Sequence, residues 1–127
     1  DSDIISYFFR GNKKVVKELI NAIENDEKLC ISIINIYEIL KGLKFKYKNN
    51  KINLFEKLLE HLTILYLDDD IIIEASDIYS NLRKKGKTID DADILIAATV
   101  IKNNGLLISN NTKHYKHIDN LNLKNWI

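Results

Sequence analysis

Short apolar segments alternate with longer amphipathic ones along this chain, and this alternation constrains the fold more than any other feature of the sequence. Residues 29–32, 63–67 and 106–109 are short and rich in Ile and Leu, which is typical of buried strands. The longer segment 13–25 repeats apolar residues at helical spacing. Strands that alternate with helices form a parallel sheet covered on both faces, so we predict an α/β fold.

The remaining elements follow from the same patterns. Helices are predicted over residues 4–9, 13–25, 35–43, 53–62, 71–85 and 93–103, and an edge strand over residues 121–126. The acidic residues 68–70 should cap the helix that begins at Ile71, and Gly86 should end it. The helix over residues 93–103 is apolar on nearly all sides, so we expect it to be central and buried.

Composition limits the class of protein. The chain has 127 residues and a mass of 14.8 kDa, which fits one domain over residues 1–127. The net charge of +1 indicates that any nucleic-acid-binding surface is local. Cys30 is the only cysteine and lies in an apolar run, so we expect a core residue and a reducing, cytoplasmic compartment. No apolar stretch is long enough to span a membrane.

Three acids, Asp1, Glu38 and Asp93, each lie where a strand-like run should give way to a helix. The run that should precede Asp1 is not in the sequence, so we expect a first strand upstream of it. In an open α/β sheet such positions meet in the crevice at the carboxyl ends of the strands. Several carboxylates there cannot all stay ionised without a cation, and oxygen ligands suit Mg²⁺ or Mn²⁺. The simplest reaction for such a site is metal-assisted hydrolysis of a phosphodiester.

Each of these acids also has a purely structural explanation. Asp1 and Asp3 could cap the first helix, and Glu38 follows Asn35 at the spacing of a capping box. Residues 90–91 could be N-caps, and Asp93 would lie in a first turn, where the helix dipole favours an acid. Expected burial argues against caps alone. The helix after Asp93 is apolar and Glu38 has apolar neighbours, and a buried acid is costly unless it is paired or binds a metal.

Four segments of the chain resemble the motifs of PIN-domain ribonucleases, and most closely the VapC-type toxins of toxin–antitoxin pairs. The segments are DSDIISYF at 1–8, SIINIYEILKG at 32–42, DADILIAAT at 91–99 and SNNTKHY at 109–115. Their order and spacing match across the whole chain. The resemblance implies a three-layer α/β/α fold with a central, mainly parallel sheet and an endoribonuclease that depends on Mg²⁺ or Mn²⁺. It also implies a homodimer that a VapB-like antitoxin inhibits.

The same resemblance carries the family's acids onto particular residues. Its characteristic acids fall on Asp1, Glu38 and Asp93, and Asp91 matches an acid present in only some relatives. In the roles that follow, Asp1 and Asp93 bind the metal directly. Glu38 either completes the metal shell through water or is the base that deprotonates the attacking water. Asn111 stands where the family often has a fourth Asp; an amide contributes no charge, and Asp91 would compensate.

Basic and polar residues give weaker indications of RNA contacts. The basic cluster nearest to the acidic motif in sequence is Arg83, Lys84, Lys85 and Lys87, and lysines neutralise phosphates. A second lysine-rich stretch, over residues 41–51, interleaves with aromatics that could stack on unpaired bases. For any single lysine, a solvated surface is the simpler explanation. The hydroxyls of Ser109 and Thr112 could contact phosphate or water, or cap a short turn. We interpret His114 and His117 as surface residues.

Two other functions remain open from the sequence. The Asp1-Ser2-Asp3 segment mimics the nucleophile motif of haloacid-dehalogenase-like phosphatases, in which Asp1 would attack phosphorus covalently. That interpretation leaves Glu38 without a role. The other alternative is a catalytically inert PIN-like module that binds RNA or protein, which Asn111 favours and the set of three acids opposes.

Overall fold

A computed structural model describes every residue from Asp1 to Ile127. Helices α1–α7 are Ser2–Phe9, Lys13–Glu24, Ile33–Phe45, Asn49–Leu59, Asp69–Lys84, Asp91–Lys102 and Thr112–Tyr115, and strands β1–β4 are Cys30–Ser32, Thr63–Leu65, Leu107–Ile108 and Leu123–Lys124. Every predicted helix and strand is present with shifted ends. The short helix α7 was not predicted, because four residues are too few for a periodic pattern.

All strand pairings are parallel, as the alternation of elements predicts. β1 pairs with β2, so that Ile31 lies opposite Ile64, and β3 pairs with β4, so that Leu107 lies opposite Leu123. The backbone nitrogen of Asp1 donates a hydrogen bond to the carbonyl oxygen of Ile108 at 2.7 Å, which fixes the entry to α1 beside the end of β3. The strand expected before Asp1 lies outside the described residues.

Helix α6 lies at the centre of the larger core cluster. Ile96, Ala97 and Ala98 in this helix are 0% exposed, and the buried face of α5 packs on the same cluster. The prediction of a central, buried helix is therefore confirmed. A second cluster joins α2, α3 and α4 around Phe55, whose side chain is also 0% exposed. The two clusters hold the starts of α1, α3 and α6 in fixed positions.

Helix caps explain where α3 and α5 begin. The carboxylate of Asp68 accepts a hydrogen bond from the backbone of Ile71 at 2.9 Å, and Gly86, with φ of +71°, follows the end of α5. The capping box, which was the alternative structural explanation for Glu38, does not form. Ser32 is the cap of α3, because its hydroxyl accepts from the backbone of Asn35 at 3.0 Å, and Glu38 is free to face elsewhere.

The expectation that Cys30 is a core residue is also wrong. Cys30 is exposed, whereas Ile31 and Ser32 are buried. Its position as the first residue of β1, before the strand enters the core, is the reason. No helix of the protein is both long enough and apolar enough to cross a membrane.

Candidate active site

The carboxylate of Asp1 is held by three donors at the start of α1. Its Oδ1 accepts from the backbone of Ser2 and from Nδ2 of Asn35, both at 2.9 Å, and its Oδ2 accepts from Oγ of Ser109 at 2.9 Å. These donors come from α1, α3 and the end of β3. The contacts therefore bring Asp1 to the carboxyl ends of β1 and β3, as the α/β arrangement predicts.

Glu38 faces the start of α1 from one turn inside α3. Its Oε1 accepts from Oγ of Ser2 at 2.7 Å and makes a longer contact of 3.4 Å with Nδ2 of Asn35. Its Oε2 accepts no hydrogen bond from the chain, and the side chain is half-buried, as its apolar neighbours predict. One carboxylate oxygen of Glu38 is thus fixed and the other is open to a ligand or water.

Asn35 joins the two acids, and sequence reasoning gave it no functional role. The residue is only 3% exposed. Its Nδ2 contacts Asp1, Glu38 and, at 2.8 Å, Oγ of Ser2, while its Oδ1 accepts from Oγ of Ser32 at 2.7 Å. The available signal was a polar residue three positions before Glu38 in an otherwise apolar turn, on the same helix face.

Asp93 lies in the first turn of α6 and is half-buried. Burial raises the pKa of Asp93 above its ordinary range, a hydrogen bond from Tyr115 opposes that rise, and the negative charges of Glu38 and Asp90 add to it. The charge of Glu38 thus reaches Asp93, but no hydrogen bond joins Asp93 to Glu38 or Asp1. The structure joins Asp1 and Glu38 through Asn35 and holds Asp93 separately, through Tyr115.

Tyr115 orients Asp93, and sequence reasoning also missed this contact. Tyr115 is 1% exposed, and its hydroxyl donates to Oδ1 of Asp93 at 3.2 Å. Burial, followed by the charge of Asp93, raises the pKa of Tyr115 far above its ordinary value, so the hydroxyl stays protonated and remains a donor. Oδ2 of Asp93 accepts no hydrogen bond from the chain and is open to a ligand.

The polar residues after β3 differ in their placement. Ser109 is 0% exposed and lies in the site, between Asp1 and the backbone nitrogen of Asn111, from which its Oγ accepts at 2.9 Å. The amide of Asn111 lies 3.4 Å from Nδ1 of His114, and the hydroxyl of Thr112 forms no hydrogen bond. Asp3 also belongs to this network, because its Oδ2 accepts from the backbone of Asn110 at 2.9 Å.

Asp91 does not join the other acids. It is exposed and forms no hydrogen bond, whereas Asp93 turns toward Tyr115. Residues two positions apart on a helix point in different directions, which accounts for the separation.

The carboxylates fit a hard divalent cation with an incomplete protein shell. No three or more His, Cys, Asp or Glu side chains are gathered closely enough to hold a metal ion together. Mg²⁺ usually takes one or two carboxylates and keeps several waters, so it does not need three protein ligands. The open oxygens of Glu38 and Asp93 are of the right kind for that binding mode.

The residues of the basic cluster that the sequence predicted have different partners. The guanidinium of Arg83 stacks over the ring of Tyr79 at 5.0 Å, and Lys85 forms an ion pair with Asp119 at 3.0 Å. Lys84 and Lys87 are exposed and form no ion pair.

Comparison with known proteins gives the same fold. A family model for the PIN domain matches residues 1–121. The chain is 40% identical over 95 residues to ribonuclease VapC1 of Methanocaldococcus jannaschii, a match that covers 75% of this chain and 68% of that relative. It is 30% identical to ribonuclease VapC2 of Haemophilus influenzae, covering 100% and 96% of the two chains. In the crystal structure of VapBC2 from Rickettsia felis bound to a promoter DNA fragment, a chain with 27% identity superposes with a TM-score of 0.91, covering 99% and 96%.

The chain belongs to the PIN domain family and, within it, to the VapC ribonucleases. The predicted family and the α/β/α PIN fold are therefore confirmed. Nucleases of this family generally depend on divalent metal ions, in agreement with the oxygen-rich site. Membership of this family removes the basis for the phosphatase alternative.

Proposed function

We propose that this chain is an endoribonuclease that hydrolyses RNA phosphodiester bonds with Mg²⁺ or Mn²⁺, as the toxin of a VapBC-type pair in the cytoplasm. The observation that supports it most strongly is the hydrogen-bond network that joins Asp1 and Glu38 through Asn35 and Ser2, together with the effect of the Glu38 charge on Asp93. The relatives named ribonuclease VapC support the choice of RNA.

We assign the ion to Asp1 and Asp93, with Mg²⁺ as the first choice and Mn²⁺ as the second. The bound ion would lower the pKa of a water molecule and neutralise charge on the phosphate. Asn35 and Ser109 orient Asp1, and Tyr115 orients Asp93, so each ligand's free lone pairs have a fixed direction. Asp91 is assigned a minor role, through water, because it is exposed.

Glu38 is the proposed general base. Its Oε1 is fixed by Ser2, so Oε2 is the atom that takes the proton from the attacking water. The water oxygen forms a new bond to phosphorus, and the bond from phosphorus to the 3′ oxygen breaks in line with it. The products are a 5′-phosphate and a 3′-hydroxyl, whose oxygen takes its proton from solvent water.

Asn111 and Thr112 would contact the phosphate or its water as neutral groups. Both lie at the start of α7, and Asn111 follows the buried Ser109 that binds Asp1. A neutral amide in place of a fourth acid weakens the binding of a second cation, so we propose a single tightly held ion.

The proposed partners are RNA, a VapB-like antitoxin and a second copy of the chain. The VapBC2 complex of Rickettsia felis supports the antitoxin. Ile20 and Ile23 on α2 and Leu54 on α4 are about half exposed, and they offer apolar surface on which a partner helix could pack. Co-expression with a VapB-like antitoxin, followed by light scattering of the purified complex, tests both assemblies.

End-labelled structured and unstructured RNAs test the activity directly. Cleavage is expected with Mg²⁺ or Mn²⁺, to be lost in EDTA, and to leave 5′-phosphate ends. Asp93→Asn and Glu38→Gln should each abolish it. The matched control is Asp77→Asn, an exposed acid on α5 outside this crevice, which should cleave like the unaltered chain.

The outcomes separate the nuclease from an inert module. Absence of cleavage together with absence of any metal-induced rise in melting temperature would refute the nuclease and favour the binding module, since a ligand that binds the native state stabilises it. Release of phosphate from a small monoester, with a trapped aspartyl intermediate on Asp1, would instead restore the phosphatase.

A further inference from the structure

Tyr7 and Arg10 form a stacked pair at the end of α1. The guanidinium carbon of Arg10 lies 4.7 Å from the centre of the Tyr7 ring, and residues three positions apart share one face of a helix. The Nε of Arg10 also donates a hydrogen bond to the carbonyl oxygen of Ser6, at 3.3 Å. These two contacts hold the exposed guanidinium in one orientation.

A chain of hydrogen bonds connects this pair to the carboxylate of Asp1. The Nδ2 of Asn110 donates to the hydroxyl oxygen of Tyr7 at 3.4 Å, and the backbone nitrogen of Asn110 donates to Asp3 at 2.9 Å. The preceding residue, Ser109, donates from its hydroxyl to Oδ2 of Asp1 at 2.9 Å. Two consecutive residues therefore lie between the hydroxyl of Tyr7 and the proposed metal ligand.

Both members of the pair have donors that the chain leaves free. Neither terminal nitrogen of Arg10 forms a hydrogen bond, and the one ion pair of the protein joins Lys85 and Asp119. The hydroxyl oxygen of Tyr7 accepts from Asn110, but its proton has no acceptor in the chain. The ligand that fits a free guanidinium beside a free O–H donor is an oxyanion such as phosphate.

We propose that Arg10 and Tyr7 bind a backbone phosphate of the RNA outside the bond that is cleaved. The proposal rests on the proposed function and assigns how that site holds its substrate. The planar fork of Arg10 matches two phosphate oxygens, and the hydroxyl of Tyr7 donates to the same phosphate group.

The position of the pair decides which phosphate it binds. Asp1 caps the start of α1 and Arg10 caps its end, about 13 Å further along the helix axis, so the phosphate is not the scissile one. Phosphate contacts fix the register of the strand without reading bases. Affinity should therefore depend on this pair, and the choice of cleaved sequence should not.

The test gives each variant a control of the same chemistry. Arg10→Gln removes the charge of the pair, and Lys102→Gln removes one exposed charge at the end of α6. Tyr7→Phe removes only a hydroxyl, and Tyr79→Phe does the same to a tyrosine of α5 that also carries a stacked arginine. Binding of a labelled single-stranded RNA is measured in EDTA over a series of salt concentrations, and cleavage kinetics are measured with Mg²⁺.

For Arg10→Gln we expect Kd to rise about tenfold and the slope of log K against log salt to become shallower by ~0.7, because one phosphate contact is lost. Arg10→Lys keeps the charge and should retain the slope. Tyr7→Phe should raise Kd about threefold with an unchanged slope, because a neutral hydrogen bond releases no counter-ion. KM should rise at constant kcat in Arg10→Gln and Tyr7→Phe, and the two controls should match the unaltered chain.

Unchanged affinity and salt slope in Arg10→Gln would overturn the proposal, and so would an equal loss in Lys102→Gln, which would show that only net charge matters. A fall in kcat at constant KM in Arg10→Gln would also overturn it. If the unaltered chain cleaves no RNA but Arg10→Gln still loses binding, the proposed nuclease fails and this phosphate site stands. If the unaltered chain cleaves and Arg10→Gln behaves like its control, only the phosphate site fails.

Discussion

Replacement of Asn35 by alanine should weaken both the fold and the site, because this buried side chain joins two acids. Its hydrogen bond to the carboxylate of Asp1 is worth about 1.5–3 kcal/mol, and its bonds with the hydroxyls of Ser2 and Ser32 about 1 kcal/mol each. The 3.4 Å contact with Glu38 adds little. Water can replace part of the lost hydrogen bonding at the half-buried carboxylates, so the free energy of unfolding should fall by about 3 kcal/mol.

Urea unfolding of the metal-free protein measures this loss, because the extrapolated free energy of unfolding can be compared at equal m-value. For a chain of this length, about 3 kcal/mol corresponds to a fall in Tm of roughly 10 °C. With the direction of Asp1 no longer fixed, metal affinity or cleavage should fall by about 10- to 100-fold.

Asn103→Ala is the matched control. Asn103 is exposed and donates a single hydrogen bond to the carbonyl of Thr99 at 2.7 Å, so its loss should cost less than about 1 kcal/mol and leave cleavage unchanged. If Asn35→Ala costs no more than this control, or cleaves RNA normally, Asn35 does not hold the two acids and the reasoning fails.

Asp93→Asn removes a partly buried negative charge, and the amide still accepts the hydrogen bond from Tyr115. The metal-free protein should therefore be more stable at pH 7 in a thermal melt. Because solvent screens the exposed half of the carboxyl, the expected gain is only about 0.5–1 kcal/mol. In the unaltered chain, burial raises the pKa of Asp93, and the negative charges of Glu38 and Asp90 add to the rise. The folded state therefore binds the carboxyl proton of Asp93 more tightly than the unfolded state does. Stability without metal should therefore fall as pH rises from the ordinary Asp range through the raised pKa; a flat profile there would contradict the assignment. Tyr115→Phe removes a donor that lowers the pKa of Asp93, so the same fall should move to higher pH, as urea unfolding at several pH values would reveal. Phe55→Ala, at a side chain with no exposure and no contact with the acids, should cost about 3–5 kcal/mol in urea while native-state cleavage stays close to normal; a selective loss of kcat would contradict the separation of core and site.

Several parts of the site could be predicted because the type and position of single residues indicate them. Glu38 follows the strand-like run 29–32, and the position of a residue after the end of a strand determines which edge of the sheet it reaches. The strand expected before Asp93 is absent, because α6 follows α5 with only a loop between them. The partial burial expected for Glu38 and Asp93 is also found in the structure. The alternative of a capping box shows the limit of such patterns. Ser32 and Asn35 both have side chains that can cap a helix, and only the structure shows that Ser32 caps α3.

The sequence by itself determined the order of strands and helices, the buried α6, and the three acids that resemble the PIN-domain motifs. Those features depend on periodicity and on residue type, which are local along the chain. Only the tertiary structure decided that Asn35 and Tyr115 orient the acids, that Asp91 faces solvent, and that the predicted basic cluster separates into residues with different partners. The physical reason is that hydrogen bonds and charge pairs form across many residues of chain, and side-chain direction at each position is set by packing against other elements rather than by the neighbours in sequence.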